Sequence, residues 1–430
     1  MRAAHTAGST MPFSLPRGGA MGPRFGDNAS SRLDRRGDRG SSAASPARRV
    51  GGNARAIVAL AAAGGASGAS AVALSRDTVA RRALLASAAV AIPALFDVGA
   101  AFAKSKGGKS GKGAEPTASR AAVPTPVTNV DLAGRRLVAI GDVHGDFKQT
   151  MRALELGKVM GPDGQWIGGD TVLVQVGDIL DRGDNELAIM RKFASLAKQA
   201  RKAGGDVLVV HGNHEIMNVL GDFRYATKGA YAECARYAEA KRNKQIEKLG
   251  SENVPPLPEV PNDVNPETYR GVLARRDLFL PGGEMALKMA KNPTVLQVGD
   301  TVFAHAGIDM NTVEYGFQTL NDDVAAWMAG AKKNPPKMVL EEKGVVWTRD
   351  YGGADAGVTA EATACRRLGE ALDAVGAKRL IVGHTPQQGG VSSGCNGRLW
   401  RSDVGVSRGI YGAKPQVIEI VNGRVRVLAA

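Results

Sequence analysis

From about residue 131 onward, short apolar runs alternate with stretches whose apolar residues recur at helical spacing. Leu137 to Ile140, Thr171 to Val176 and Val207 to Val210 read as strands, and each runs into a glycine-bearing loop. Between them, residues 146–160 fit an amphipathic helix, and residues 185–203 carry Leu187, Met190, Phe193 and Leu196 on one helical face. This βαβαβ order predicts an α/β fold with parallel strands and right-handed crossovers. A long polar stretch follows, residues 218–292, which includes "ENVPPLPEVPNDVNPET". That is too much sequence for a simple loop in a compact domain, so a partly helical, cap-like insertion is expected. Strand character resumes in "TVLQVGDTVFAHAG", two β-rich runs joined by a Gly-Asp turn. "RLIVGHTP", "RLWRSDVG" and the hairpin "QVIEIVNGRVRVL" complete the pattern, and no internal repeat is visible.

Charge divides the chain differently. The net charge of +14 suggests an acidic partner until its distribution is examined. Residues 1–103 hold 13 Arg and 5 Asp with no Lys or Glu, and residues 104–130 add five basic groups against one Glu. Residues 131–430 carry 38 basic and 36 acidic side chains, so the expected folded part is near neutral and nucleic acid is not an expected partner. The leader has the Arg-, Ser- and Ala-rich, acid-poor composition of an organellar transit peptide. It continues into Arg81–Arg82, an apolar run from Ala83 to Phe96 broken by Pro93, and the A-x-A pattern of Ala101, Phe102 and Ala103. A twin-arginine signal behind a transit-like stretch points to the chloroplast, with the thylakoid lumen as destination if the second signal is used. The apolar run is short for a bilayer span, so no stable membrane insertion of the mature protein is expected. Residues 104–130 read as a flexible linker rich in Gly, Lys, Ser and Pro, and residues 131–430 as the folded domain. Cys234, Cys365 and Cys395 are too few and too irregularly spaced for a disulfide scaffold or zinc site; one disulfide is open.

The chain has six histidines, and all but His5 fall just past the end of an apolar run: His144, His211, His214, His305 and His384. Asp142 and Asp178 occupy equivalent places. The carboxyl ends of strands are where α/β folds assemble their chemistry. Buried carboxylates and imidazoles are costly unless paired or bound to metal, and a mixed oxygen and nitrogen set suits Mn, Fe or Zn.

The blocks "GDVHG", "GDILDRG", "GNHE", "HAG" and "GHTP", in that order, resemble the metallophosphoesterases of the PPP family of protein phosphatases. "GNHEIMNVLGDFRYAT", "PGGEMALKMAKNPTVLQVGDTVFAHAGID" and "RLWRSDVGVSRGIYG" are similar to its Shewanella-like branch, and the resemblance covers roughly residues 134–421. It implies a calcineurin-like fold, a central β-sandwich flanked by helices. It implies two divalent metal ions, Mn foremost with Fe or Zn as alternatives, one held by Asp142 and His144, one completed by Asn213, His305 and His384, and Asp178 bridging both. His214 becomes the general acid, Asp181 orients it, and Arg182 clamps phosphate oxygens. Arg349 is a candidate second clamp, against the alternative of a surface ion pair with Asp350. The implied reaction is hydrolysis of phosphotyrosine or phosphoserine/threonine in a protein or peptide, by attack of a hydroxide held between the metals. The residue types suit this chemistry: an imidazolium supplies the leaving oxygen with a proton, and guanidinium matches two phosphate oxygens at once.

His211 and Glu215 have no assigned part in the chemistry; a hydrogen-bonded strand-end histidine and a carboxylate bracing its loop are expected. Ile179 and Leu180 replace an aromatic and a valine common in the family and are expected to pack into the core. Trp347, Tyr351, Tyr225 and Phe223 are candidates for a substrate pocket. The alternatives to a protein phosphatase are a dinucleoside polyphosphate hydrolase or other small-molecule phosphoesterase, for which the insertion would supply the pocket, and a non-catalytic phosphoprotein-binding module. Intact ligands and an intact His214–Asp181 pair disfavour the module.

Overall fold

The computed structural model describes residues 123–353 and 358–430. The stretch expected to be a targeting leader and most of the expected linker lie outside the described residues. The last part of the linker stretch does not stay apart from the domain: β1 (Asn129–Val130) pairs in parallel with β5 (Val295–Val298). Gln297 N–H donates to Thr128 O at 2.8 Å, and Gly299 N–H to Val130 O at 2.9 Å.

Two sheets form the centre. The first has the order β11-β10-β2-β3-β4, with β2 (Leu137–Ile140), β3 (Val172–Gln175) and β4 (Asp206–Val209) parallel, β10 (Gln416–Val421) antiparallel to β2, and β11 (Arg424–Ala429) antiparallel to β10. The second runs β1-β5-β6-β7-β9-β8, with β6 (Thr301–Ala304), β7 (Arg379–Val382) and β9 (Leu399–Arg401) parallel and β8 (Ser392–Gly394) antiparallel to β9.

The strands read as unbroken apolar runs because both of their faces are buried. Leu137, Ala139, Val172, Val174 and Leu208 meet Leu296, Val298, Phe303 and Ile381 between the sheets. Their neighbours Val138, Ile140, Leu173 and Val207, with Val295, Val302, Leu380 and Val382, face the helical layers instead. Helices α1 (Phe147–Leu156) and α2 (Glu186–Lys202) contribute Ala153, Leu154, Phe193 and Leu196 to that outer core. The α2 span matches the sequence expectation to one residue at each end, whereas α1 stops short of residue 160 at Gly157. Ile179 and Leu180 are buried in the same core, as expected.

The insertion is largely helical. After the short α3 (Asn213–Val219) come α4 (Lys228–Leu249), α5 (Pro266–Phe279) and α6 (Glu284–Met289). Asn265 caps α5 by accepting from Thr268 N–H at 3.0 Å, with Pro266 in the first turn where no amide donor is required. Glu233 of α4 accepts from the N–H groups of Leu187 and Ala188 at 2.8 and 2.9 Å. A carboxylate from the insertion thereby satisfies the open amino end of α2, a job Asn185 at the cap does not do with its own side chain. On the other sheet lie α7 (Met310–Tyr315), α8 (Phe317–Met328) and α9 (Val358–Ala374). A disulfide joins Cys365 of α9 to Cys395 beside β9, and Cys234 is a buried free thiol. No helix among the described residues is long and apolar enough to cross a membrane.

Candidate active site

The carboxyl ends of β2, β3 and β4 in one sheet meet those of β6, β7 and β9 in the other. Asp142 and His144 follow β2, Asp178 and Asp181 follow β3, His305 follows β6 and His384 follows β7. Asn213 and His214 open α3, directly behind β4. All of these side chains are buried. Close approach needs glycine: a Cβ on Gly212 would collide with the Asp178 carboxylate, and one on Gly383 with that of Asp142. His144, Asp178, Asp181, Arg182 and His384 have φ of 38°, 55°, 68°, 64° and 67°, a left-handed conformation that costs side-chain-bearing residues about 1–3 kcal/mol each. Half of the ten non-glycine residues with positive φ among the described residues thus cluster here, as expected where geometry is imposed for chemistry.

Hydrogen bonds fix which ring nitrogens face inward. His144 Nδ1 donates to Leu180 O (2.9 Å), His305 Nδ1 to Val176 O (2.8 Å) and His384 Nε2 to Trp347 O (3.0 Å). Their second nitrogens converge on oxygen. His305 Nε2 lies 3.1 Å and His384 Nδ1 2.9 Å from Asn213 Oδ1, and His144 Nε2 lies 3.6 Å from Asp178 Oδ2. Asp142 Oδ1 is buried with no hydrogen-bond partner. Two groups of possible ligand atoms, His144–Asp178–His214 and Asp178–His305–His384, are each contained within 4.8 Å and share Asp178. Lone pairs facing lone pairs, an orphaned carboxylate oxygen and one aspartate common to two clusters fit a pair of divalent cations.

The electrostatics agree. Burial pushes His144 down to about 4 and His384 down to about 3, so both rings are neutral and free to ligate. Burial also raises Asp142 well above the carboxylate range, reinforced by the charges of Asp403 and Asp178. Asp178 goes the other way: burial opposes its charge, but His305 and His214 hold it well below the usual value. Asp178 in turn keeps His305, 3.3 Å away, above the usual imidazole value despite burial. A bound cation would supply that positive charge in the proton's place.

His214 is set apart. Its Nδ1 lies 2.6 Å from Asp181 Oδ2, and its Nε2 faces Asp178 Oδ2 at 3.9 Å. Burial alone would lower its pKa; Asp178 and then Asp181 outweigh that and raise it. Arg182 stands at the mouth with its guanidinium 4.6 Å from the Tyr225 ring centroid, and that ring is 5.2 Å from His214. Arg349 is exposed on the rim, 3.3 Å from Thr385 Oγ1 and near enough to help depress His384. Asp350 takes its ion pairs from Lys343 (2.6 Å) and Arg367 (3.4 Å) rather than from Arg349.

His211 points away from the cluster, with Nε2 at 2.9 Å from Met289 O and Nδ1 at 3.1 Å from Thr294 Oγ1. Glu215 braces the loops, accepting from the N–H groups of Gly212 (2.7 Å), Asp178 (2.8 Å), Ile179 (2.9 Å) and Leu180 (3.1 Å). Of the four aromatic pocket candidates, Tyr351 is core, its hydroxyl bonded to Ile308 O, and Tyr225 is exposed at the site. Asp403 was not anticipated: it is buried behind Asp142, burial raises it to about 6, and its Oδ2 is a second orphaned oxygen. Its signal was the strand-end "SDVG", the same run-then-aspartate pattern that marked Asp142 and Asp178.

Residues 135–388 match the family model described as calcineurin-like phosphoesterase. The chain is 37% identical over 296 residues to Shewanella-like protein phosphatase 2 of Arabidopsis thaliana, covering 66% of this chain and 75% of the relative. Against Shewanella-like protein phosphatase 1 of Plasmodium berghei identity is 28% over 277 residues, 63% of this chain and 67% of the relative. Among solved structures, a cold-active protein tyrosine phosphatase superposes with a TM-score of 0.50 at 20% identity, covering 70% of this chain and 79% of that one, a likeness of fold.

Proposed function

The chain belongs to the calcineurin-like phosphoesterases, and on that footing we propose that it is a metal-dependent phosphoprotein phosphatase acting on phosphotyrosine, phosphoserine or phosphothreonine. The observation that carries the reading is the 2.6 Å contact between His214 and Asp181 beside two ligand clusters that share Asp178. Asp142, His144 and Asp178 would hold one ion, and Asp178, Asn213, His305 and His384 the other, with Mn as the expected metal. When bound, the metal pair supplies an activated water and neutralises phosphate charge.

The chain's own side chains do the rest. Arg182 offers two N–H groups to phosphate oxygens and is held in place by the Tyr225 face. Arg349, across the mouth, is the second candidate clamp. Asp181 fixes the imidazole of His214 through Nδ1, leaving the Nε2 proton for the departing side-chain oxygen. The relatives' names support a protein substrate over a small phosphoester. The leader's composition supports delivery to the chloroplast, which a fluorescent fusion of the leader would test.

The test is hydrolysis by the full-length chain supplemented with Mn. Substrates are phosphotyrosine and phosphothreonine peptides, para-nitrophenyl phosphate and a dinucleoside tetraphosphate, with His214→Asn alongside. Metal-dependent peptide turnover that collapses in the variant is expected; turnover of the dinucleotide alone would replace this reading with a small-molecule hydrolase.

A further inference from the structure

Helix α5 of the insertion carries Arg275, whose side chain is 0% exposed, an unusual place for a guanidinium. It makes four hydrogen bonds to oxygen. Nη2 donates to Asp181 Oδ1 and to Glu186 Oε1, both at 3.0 Å. Nη1 donates to Glu186 Oε2 at 2.5 Å, and Nε to Asn218 Oδ1 at 2.9 Å. The rings of Phe279, Phe223 and Tyr231 surround it, with centroids 5.0, 5.5 and 5.9 Å from Cζ. Burial alone would lower the Arg275 pKa, but Glu186 and Asp181 raise it, so the group is a permanent cation.

Asp181 is consequently held at both oxygens. Oδ2 faces His214 Nδ1 at 2.6 Å and accepts from Asn218 Nδ2 at 3.1 Å, while Oδ1 takes the guanidinium. Its backbone N–H is bonded to Glu186. Asp181 and Glu186 share this one guanidinium, so removing it would leave two buried carboxylates without their cation. Stability is a weak reason for this arrangement, since apolar residues of similar volume generally serve as well as a buried ion pair. Its place on the carboxylate behind His214 is the stronger one.

We propose that Arg275 is a positioning residue for the phosphatase reaction: by fixing the Asp181 carboxylate it aims His214 Nε2 at the leaving oxygen, so the inserted helices complete the proton-delivery relay. The proposal rests on the phosphatase reading, through the role given to His214. It makes the insertion a working part of the site rather than an accessory to it.

A leaving-group comparison separates positioning from folding, because an ester with a good leaving group needs little help from a general acid. The Mn-loaded full-length chain is compared with Arg275→Met, Arg275→Lys and the double variant Arg275→Met/Glu186→Gln, which removes both charges together. Each is assayed for kcat and KM on para-nitrophenyl phosphate and on a phosphoserine peptide, with thermal melting as the check on folding. The expected result is a kcat loss about 10- to 100-fold greater on the peptide than on the aryl ester, a part of the roughly 100- to 10,000-fold that a general acid contributes. KM should stay near the parent value, and Arg275→Lys should recover part of the loss. Equal losses on both esters, or an unchanged kcat, in any variant that melts cooperatively would overturn the proposal. Loss of cooperative melting in all three would assign Arg275 to folding alone and overturn it as well. An unsubstituted chain that turns over neither ester would instead strike the phosphatase reading itself.

Discussion

His211 and His214 stand three residues apart and handle protons in opposite ways. Burial holds His211 neutral, down to about 4 from an ordinary value of 6.5. The unfolded chain therefore takes up this proton first. The stability from burying the neutral ring is complete above about pH 6.5 and is lost as the pH falls toward about 4, by about 3 kcal/mol over the whole window. Urea unfolding of the parent and of His211→Gln across this range should show their difference shrinking with acid, and a constant difference would contradict the assignment. At the mouth, Tyr225→Leu removes the ring under Arg182. A cation–π contact at an exposed site is worth about 0.5–1 kcal/mol, so KM for a phosphopeptide should rise about two- to fivefold with kcat nearly unchanged. A fall in kcat alone would give Tyr225 a different part. The candidate ligands were legible as a cluster because each sits in a short block of fixed spacing. Arg275 was not, because its partners lie 57, 89 and 94 residues away and no local pattern marks it.

Among elements, the strands were the most legible, because burial on both faces leaves unbroken apolar runs that no loop imitates. The insertion was legible as an extra piece but not as a contributor: its mixed composition conceals that Glu233 caps α2 and that Arg275 reaches Asp181. The Cys365–Cys395 link belongs to this scale too. It closes a separation of 30 residues between α9 and the segment leading into β9, and chain-entropy arguments give such a link up to about 4 kcal/mol. Reductant should lower the parent's denaturation midpoint and leave that of a Cys365→Ser/Cys395→Ser variant unmoved. Equal midpoints with and without reductant would show the link to be neutral.

For the whole molecule, the two sheets are joined most expensively where their strand ends converge. Asp142 and Asp403 bring buried carboxylate oxygens together there with no hydrogen-bond partner, a state that bound cations relieve. Chelation should lower the melting temperature and added Mn should restore it. At a free metal concentration of about a hundredfold over Kd, linkage gives about 2.7 kcal/mol, a shift of roughly 4 °C for a domain of this size. An unshifted melt would mean that the cluster holds no metal. The order of the first sheet carries a further consequence, for synthesis. Among the described residues β2 is flanked by β10, far later in the chain, with Ala139 opposite Ile418 and Leu137 opposite Ile420. A nascent chain therefore cannot seal β2 until Gln416–Val421 has been translated, and the exposed edge of β2 must be kept from self-association meanwhile. Metal binding through His384 would likewise wait on that residue, and a chain truncated before Gln416 should emerge as protease-sensitive material.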